Sequence, residues 1–199
     1  MSRRRDGRRQ RNTTGISPAE TDNTNTKNMA TKAQQDFCKA IYQAALKLNE
    51  INPVFVAAQA CLESSWGLKK IGNYNVFGIT RGTWPANRCI LVLTSEVFSV
   101  PNKKFVAPEK VVSVTKRPAG GYRYKVYRLF KNFSSYEECL QEHLRLFQKP
   151  GYADAWPYRK NAREFAKRIA NNTGCKYATD PNYYKTMCAM IASVEKVVG

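Results

Sequence analysis

Apolar residues recur every three or four positions in the first part of the chain, which is the spacing of an amphipathic helix. The pattern runs over residues 33–49. Thr31 stands just before it and Gln34 follows three residues later, as in a capping box. A second helix is predicted over residues 53–65, because Asn52 can cap its first turn and is followed by a proline.

The hydrophobic pattern changes in the middle of the chain. Three segments rich in β-branched and aromatic residues, separated by Pro and Gly, lie there at residues 89–100, 110–116 and 122–130. They predict a small antiparallel β wing. Helical spacing then returns and predicts three further helices, at residues 135–148, 161–171 and 180–198. This order predicts an α+β fold, a mainly helical body with a β wing and a ligand site in the cleft between them.

Charge divides the chain into two parts. The 199 residues carry a formal net charge of +18, of which residues 1–30 account for six Arg, one Lys and three acids. That segment has almost no large apolar side chains, so a flexible basic arm is expected there, followed by one folded domain at 31–199. The folded part is also basic, which indicates a polyanionic partner such as nucleic acid or the bacterial wall.

Several classes of protein are disfavoured by the sequence. No apolar run approaches the length of a transmembrane helix, and the N-terminal arginines are not followed by the apolar segment of a secretory signal. Metal binding is not expected, since the cysteines form no Cys-x-x-Cys pair and the chain has one histidine. The cysteines are expected to be free and mostly buried, and no cofactor is predicted. His143, Trp84 and Trp156 are expected to pack structurally.

One segment suggests acid catalysis. Glu63 falls in the last turn of the second predicted helix, next to Trp66. The helix C-terminus and the indole both disfavour an ionised carboxylate, so the pKa of Glu63 is expected to be raised. A glutamate that stays protonated near neutral pH can protonate the leaving oxygen of a glycosidic bond. A solvated surface glutamate is the alternative, and the aromatic turn at residues 72–79 favours the catalytic interpretation.

Four blocks of sequence follow one another in a recognisable order. They are Leu-Glu-Ser-Ser-Trp-Gly at 62–67, Asn-Val-Phe-Gly-Ile at 75–79, Tyr-Arg-Leu-Phe at 127–130 with Ser-Ser-Tyr at 134–136, and Tyr-Ala-Thr-Asp-Pro-Asn-Tyr at 177–183. The ordered set resembles the peptidoglycan glucosaminidases of glycoside hydrolase family 73, which include bacterial autolysins and the flagellar rod-cap hydrolase. The resemblance implies a lysozyme-like fold and cleavage of the β-1,4 bond after N-acetylglucosamine in peptidoglycan.

The resemblance also implies site residues. It places the catalytic glutamate at Glu63 and a cleft-lining tyrosine at Tyr177. Glu96 fits the second acid, which the family carries in its wing, and Glu109 competes with it for this role. Further substrate contacts are expected from Trp66, Asn75 and Phe77. Asp180 is expected to cap the last helix. The chain departs from the family at Ser65, where glycine is common, and in extra wing residues at 102–120.

Alternatives exist within and outside this enzyme class. A lytic transglycosylase or a muramidase of related fold also uses a glutamate acid. The basic arm and body suit a nucleic-acid-binding protein or a structural part of a virion or injection machine, although no specific nucleic-acid reader motif accompanies the arginines. Action at the bacterial wall without a secretory signal suggests a phage lysin, a virion-borne enzyme or another export route. The arm would then tether the enzyme to an anionic surface or an assembly partner.

Overall fold

A computed structural model describes residues 30–172, 177–178 and 180–199 of the chain. The basic arm and the delivery route expected from residues 1–30 therefore fall outside the described residues, apart from Ala30. Within the described part, no helix is both long and apolar enough to cross a membrane.

Five α-helices form the body of the described part: α1 Lys32–Leu48, α2 Pro53–Glu63, α3 Tyr136–Phe147, α4 Ala162–Asn171 and α5 Tyr183–Val198. The predicted capping box of α1 is present, with both of its hydrogen bonds between Thr31 and Gln34. Asn52 caps α2 by accepting hydrogen bonds from the first main-chain N–H groups of that helix. The helical predictions made from spacing and caps are therefore confirmed for α1 and α2.

The helical body is organised around α2, which packs against α1, α4 and α5. Its face towards the core is apolar and almost fully buried. Phe55 of α2, Phe147 of α3 and Phe165 of α4 meet edge to face, with ring centroids 4.9–6.1 Å apart. Because its surroundings hold it from three sides, the C-terminal end of α2 is a rigid platform for the residues that follow.

The wing is a three-stranded antiparallel sheet of β1 Cys89–Phe98, β2 Lys110–Lys116 and β3 Tyr122–Lys131, in the order β1-β3-β2. These bounds agree closely with the predicted strands. The register places Leu93 opposite Tyr127 and Glu96 opposite Tyr124. A β-bulge interrupts the pairing of β2 with β3 near Val112. The predicted α+β fold with an antiparallel wing is confirmed.

The wing has an aromatic core of its own. Phe98, Phe105 and Tyr124 pack together, and the buried hydroxyl of Tyr124 donates to the carbonyl of Val100 at 2.8 Å. The same hydroxyl accepts a hydrogen bond from the N–H of Lys103 at 3.0 Å. The connection between β1 and β2 is thereby folded over the face of the sheet that carries Glu96.

The last helix begins later than predicted. α5 starts at Tyr183, and Asp180 does not cap it. Instead, the carboxylate of Asp180 accepts from the N–H of Asn182 at 2.8 Å, and its carbonyl accepts from the N–H of Tyr183. Pro181 lies inside this turn, which precedes the helix, so α5 starts at Tyr183 instead of at Asp180-Pro181.

His143 has the structural role expected for it. Its ring is buried and stacks on Phe77 with a centroid separation of 3.7 Å and an interplanar angle of 7°. Burial lowers the pKa of His143 to about 3, so the imidazole is neutral at physiological pH. Among the described residues the cysteines are free, and Cys38, Cys61 and Cys139 are buried. The described part contains no group of three or more residues suited to hold a metal ion.

Candidate active site

The catalytic candidate Glu63 is the last residue of α2, where the chain leaves the helix through a left-handed turn. Ser65, Trp66 and Gly67 have φ angles of 50°, 59° and 82°. The N–H of Trp66 donates to the carbonyl of Cys61 at 2.7 Å, and the Ser64 hydroxyl accepts from the N–H of Gly67 at 2.8 Å. This turn ends the helix abruptly, so that Glu63 stands at its rim with its side chain open to solvent.

Glycine is required in this turn. A Cβ atom at Gly67 would lie 2.6 Å from Cδ2 of Phe37 on α1, far inside van der Waals contact. A positive φ angle of 82° is also unfavourable for any residue with a side chain. The close approach of Gly67 to Phe37 therefore fixes where the turn sits, and with it the direction in which α2 presents Glu63.

The carboxyl group of Glu63 is partly enclosed by protein although the residue reaches solvent. Desolvation raises its pKa above the ordinary value of 4.5, and a hydrogen bond from the hydroxyl of Tyr177 opposes this shift by favouring the ionised form. The raised pKa agrees in direction with the sequence expectation. Desolvation causes the rise in the pKa of Glu63, and the hydrogen bond from Tyr177, a residue far away in the sequence, partly offsets it.

A tyrosine cluster surrounds this carboxyl group. The ring of Tyr177 packs on Phe147 at 5.6 Å and on Tyr183 at 5.4 Å. Tyr183 accepts a hydrogen bond at 2.9 Å from Nε2 of Gln59, which lies one turn before Glu63 on α2. Burial, reinforced by the charge of Glu63, raises the pKa of Tyr177 and Tyr183, so both keep their protons.

Tyr183 and Gln59 were not assigned a role from the sequence. Gln59 lies in the second predicted helix and Tyr183 closes the last sequence block, but only the packing of α5 on α2 brings Tyr183 to the side of Glu63. One signal was available, because Gln59 precedes Glu63 by four residues and so shares its helix face. A buried glutamine on that face needs a polar partner, and Tyr183 supplies it.

Asn75, a predicted substrate contact, has a structural role. Its side chain is buried, and its Nδ2 donates to the carbonyls of Ile79 and Lys131, both at 2.9 Å. Its Oδ1 accepts from the N–H of Ile79 at 2.9 Å. Both amide donors are thus committed to the main chain, so Asn75 holds the 75–79 turn against β3, and its contact with substrate stays a prediction.

The two aromatic candidates near Glu63 are half-buried. Trp66 lies in the left-handed turn, and Phe77 has one ring face covered by His143. Both pack against the hydrophobic core with part of the side chain still accessible. Their contact with substrate stays a prediction.

Arg128 brings the two candidate wing carboxylates together. Its Nη1 donates to Glu96 at 2.6 Å, and its Nε donates to Glu109 at 3.0 Å. Glu109 also accepts from the N–H of Leu129 at 2.9 Å, whereas no such main-chain bond is formed by Glu96. The Glu96 side chain is 24% exposed and that of Glu109 is 16% exposed. The carboxylate of Glu96 therefore makes fewer hydrogen bonds and is more exposed than that of Glu109.

Comparison with known proteins places the chain in a family. Residues 39–196 match the model of the glucosaminidase family, described as mannosyl-glycoprotein endo-beta-N-acetylglucosaminidase. The chain belongs to the glucosaminidase family. This match spans the helical body and the wing of the glucosaminidase domain, and it includes Glu63, Glu96 and Tyr177.

Relatives of the chain carry names of wall-degrading enzymes. A probable N-acetylmuramidase of Lactococcus lactis subsp. lactis is 30% identical over 169 residues, covering 82% of this chain and 34% of the relative. The peptidoglycan hydrolase FlgJ of Salmonella typhimurium is 29% identical over 148 residues, covering 70% of this chain and 39% of the relative. The chain thus spans little more than a third of the length of these curated relatives.

Solved structures share the fold of this chain. The glycoside hydrolase domain of Salmonella typhimurium FlgJ superposes with a TM-score of 0.59 at 25% identity, covering 82% of this chain and 89% of that domain. A peptidoglycan hydrolase mutant from Sphingomonas sp. A1 gives a TM-score of 0.59 at 24% identity, covering 82% and 97% of the two chains. The lysozyme-like fold expected from the resemblance is confirmed.

Proposed function

We propose that the protein hydrolyses the glycan strands of bacterial peptidoglycan, at the β-1,4 bond that follows N-acetylglucosamine. The observation that carries this proposal is Glu63, whose partly enclosed carboxyl group accepts a hydrogen bond from Tyr177 at the end of α2. Membership of the glucosaminidase family and the names of its relatives support the substrate class.

Glu63 acts as the general acid in this proposal. Desolvation keeps its proton bound to a higher pH than an exposed glutamate would allow. Transfer of that proton to the glycosidic oxygen lets the leaving sugar depart as an alcohol rather than as an alkoxide. The resulting carboxylate is stabilised by the hydroxyl of Tyr177, which donates a hydrogen bond to it.

Glu96 is proposed as the second carboxylate. It would stabilise the positive charge that develops on the sugar ring or activate the attacking water. Its ion pair with Arg128 holds the carboxylate in a fixed orientation, and its greater exposure makes it more accessible than Glu109. If neither Glu96 nor Glu109 contributes to hydrolysis, the acetamido group of the substrate would assist Glu63 instead.

Aromatic side chains near Glu63 are proposed to contact the sugar rings. Trp66 and Phe77 are only partly buried against the core, and Tyr177 donates a hydrogen bond to the carboxyl group of Glu63. Aromatic faces pack well on the apolar faces of sugars. Asn75 is proposed to position the 75–79 turn.

A muramidase is the second candidate, because the Lactococcus lactis relative is named a probable N-acetylmuramidase. The two activities cut alternate bonds of the same strand and leave different reducing ends. Purified peptidoglycan should be digested, reduced with borohydride and analysed by mass spectrometry. Reduced N-acetylglucosamine ends support the proposal; reduced N-acetylmuramic acid indicates a muramidase, and 1,6-anhydro ends indicate a lytic transglycosylase. The Glu63→Gln variant, prepared in the same way, controls for contaminating hydrolases.

A further inference from the structure

One face of the wing sheet is open to solvent over most of its length. In β1 from Leu91 to Val97 and in β3 from Arg123 to Tyr127, every second residue is exposed, and the register places these residues on the same side of the sheet. We call this surface the open face; it consists of Leu91, Leu93, Ser95, Val97, Arg123, Lys125 and Tyr127. Glu96, Arg128 and the aromatic core of the wing lie on the opposite face.

The centre of the open face is apolar. Leu91, Leu93, Val97 and Tyr127 expose 42%, 47%, 50% and 39% of their surface, respectively. Leu93 and Tyr127 lie directly opposite each other in the strand register; Leu91 precedes Leu93 on the same face of β1, and Val97 follows after Ser95. Single exposed leucines are common, but four exposed apolar side chains grouped on one sheet face mark an interaction surface.

The charges around these apolar side chains have one sign. Arg123 and Lys125 stand on the open face itself, and Lys110 of β2 pairs with Tyr127 at its edge. Residues 89–131 contain nine Lys or Arg and only two Glu. Both glutamates are bound to Arg128 on the other face. The open face, all of whose residues are described, therefore carries positive charge without an acid to balance it.

We propose that the open face docks on an anionic phospholipid surface at the level of the headgroups. Lys and Arg are attracted by anionic headgroups, while aliphatic side chains and a tyrosine favour the boundary between headgroups and acyl chains. A second copy of this chain would bring like charges together. A hydrated polyanion such as nucleic acid offers no apolar surface for Leu91, Leu93 and Val97.

Vesicle binding of the full chain tests this proposal. Sedimentation with vesicles of phosphatidylglycerol and phosphatidylcholine is compared with sedimentation on phosphatidylcholine alone. The wild-type chain is expected to bind the anionic vesicles at least about 10-fold more strongly. Two variants address the open face: Leu93→Asp combined with Val97→Asp, and Arg123→Glu combined with Lys125→Glu.

Two single-site controls place the same kinds of change on α1. Leu46 is 43% exposed there, and Lys39 is also exposed, so Leu46→Asp and Lys39→Glu change apolarity and charge away from the wing. The open-face variants should lose at least about 10-fold in vesicle binding, whereas the controls stay within about twofold of wild type. Every variant should hydrolyse soluble glycan fragments at the wild-type rate, because the face lies opposite Glu96.

Three outcomes would overturn the proposal. The first is equal binding of the wild-type chain to neutral and anionic vesicles. The second is loss of binding in the charge variant but not in the Leu93 and Val97 variant, which would indicate a soluble polyanion such as nucleic acid. The third is slow hydrolysis of soluble fragments by the Leu93 and Val97 variant with an unchanged circular dichroism spectrum, which would assign the face to glycan binding.

Discussion

The hydroxyl of Tyr177 donates a hydrogen bond to the carboxyl group of Glu63, joining a turn near the end of the chain to the end of α2. The tyrosine itself is held by stacking on Phe147 and by contact with Tyr183. Glu63 therefore has a fixed partner on a packed aromatic support, and its proton affinity reflects both desolvation and that single hydrogen bond.

Replacing Glu63 with Gln removes the transferable proton and keeps the shape of the side chain. Peptidoglycan hydrolysis is expected to fall at least ~100-fold, the scale of general acid catalysis. The raised pKa means that ionising Glu63 costs stability in the folded state, so stability declines as pH rises through that pKa. The variant should consequently melt no lower than wild type at pH 7. Near-normal hydrolysis would remove Glu63 from the mechanism.

Replacing Tyr177 with Phe should shift the pH profile. The hydrogen bond from Tyr177 lowers the pKa of Glu63, so its loss leaves desolvation unopposed and raises that pKa further. The alkaline limb of kcat/KM reports the free enzyme's acid and should move to higher pH. Measurement of kcat/KM on soluble fragments from pH 4 to 9 checks this. A shift towards lower pH would contradict the assigned hydrogen bond.

The wing carboxylates can be separated by matched amide variants. Glu96→Gln should clearly impair hydrolysis, but less than Glu63→Gln does, while Glu109→Gln should stay near normal. Because Glu109 also accepts from the N–H of Leu129, its variant is expected to lower the melting temperature more than Glu96→Gln. Steady-state rates and thermal melts should be recorded on the same samples. The reverse order of rates would move the second role to Glu109.

Gly67→Ala should disturb the turn that presents Glu63. The new methyl group would lie 2.6 Å from Cδ2 of Phe37, so the ring or the turn must move. Gly120→Ala is the matched control, since its φ angle of 85° resembles the 82° of Gly67 but its Cβ would meet nothing within 4 Å. We expect about 1 kcal/mol of destabilisation for the control and more for Gly67→Ala, together with reduced hydrolysis. Urea unfolding curves of both variants make the comparison.

His143 should make stability depend on pH below neutrality. Its pKa is lowered to about 3 in the folded protein, while an unfolded histidine titrates near 6.5. Between these values the unfolded chain binds the extra proton, so stability is lost as pH falls. The slope from this residue is at most about 1.4 kcal/mol per pH unit. His143→Phe should flatten the decline between pH 6.5 and 4 in urea unfolding; an unchanged slope would contradict the burial of the imidazole.

Local patterns were sufficient to predict most of the fold. The strand segments and the caps at Thr31 and Asn52 are encoded by neighbouring residues, and the structure reproduces them. The start of α5 was misplaced because Asp-Pro is a helix signal and also a turn signal. Asp180 formed the turn, with its carboxylate on the N–H of Asn182.

The site depends on contacts that the sequence does not encode locally. Glu63 could be chosen because its neighbours and its block point to it, but the role of Tyr183 follows from the packing of α5 on α2. Asn75 is a second example. A polar residue in an aromatic turn suggested a ligand contact, and nothing in the sequence indicated that its amide also binds the carbonyls of Ile79 and Lys131. Only the tertiary structure could show that these partners were already present.

The hydroxyl of Tyr124 helps the wing to open and close separately from the helical body. It ties Val100 and Lys103 to an aromatic core that is separate from the one in the helical body. A unit with its own core can open and close as a whole while its neighbours stay folded. Amide protons of β2 should therefore exchange with solvent through opening of the wing, faster than those of α2, which require global unfolding. The length of the 99–109 connection can therefore change during evolution without disturbing the C-terminal end of α2, which carries Glu63.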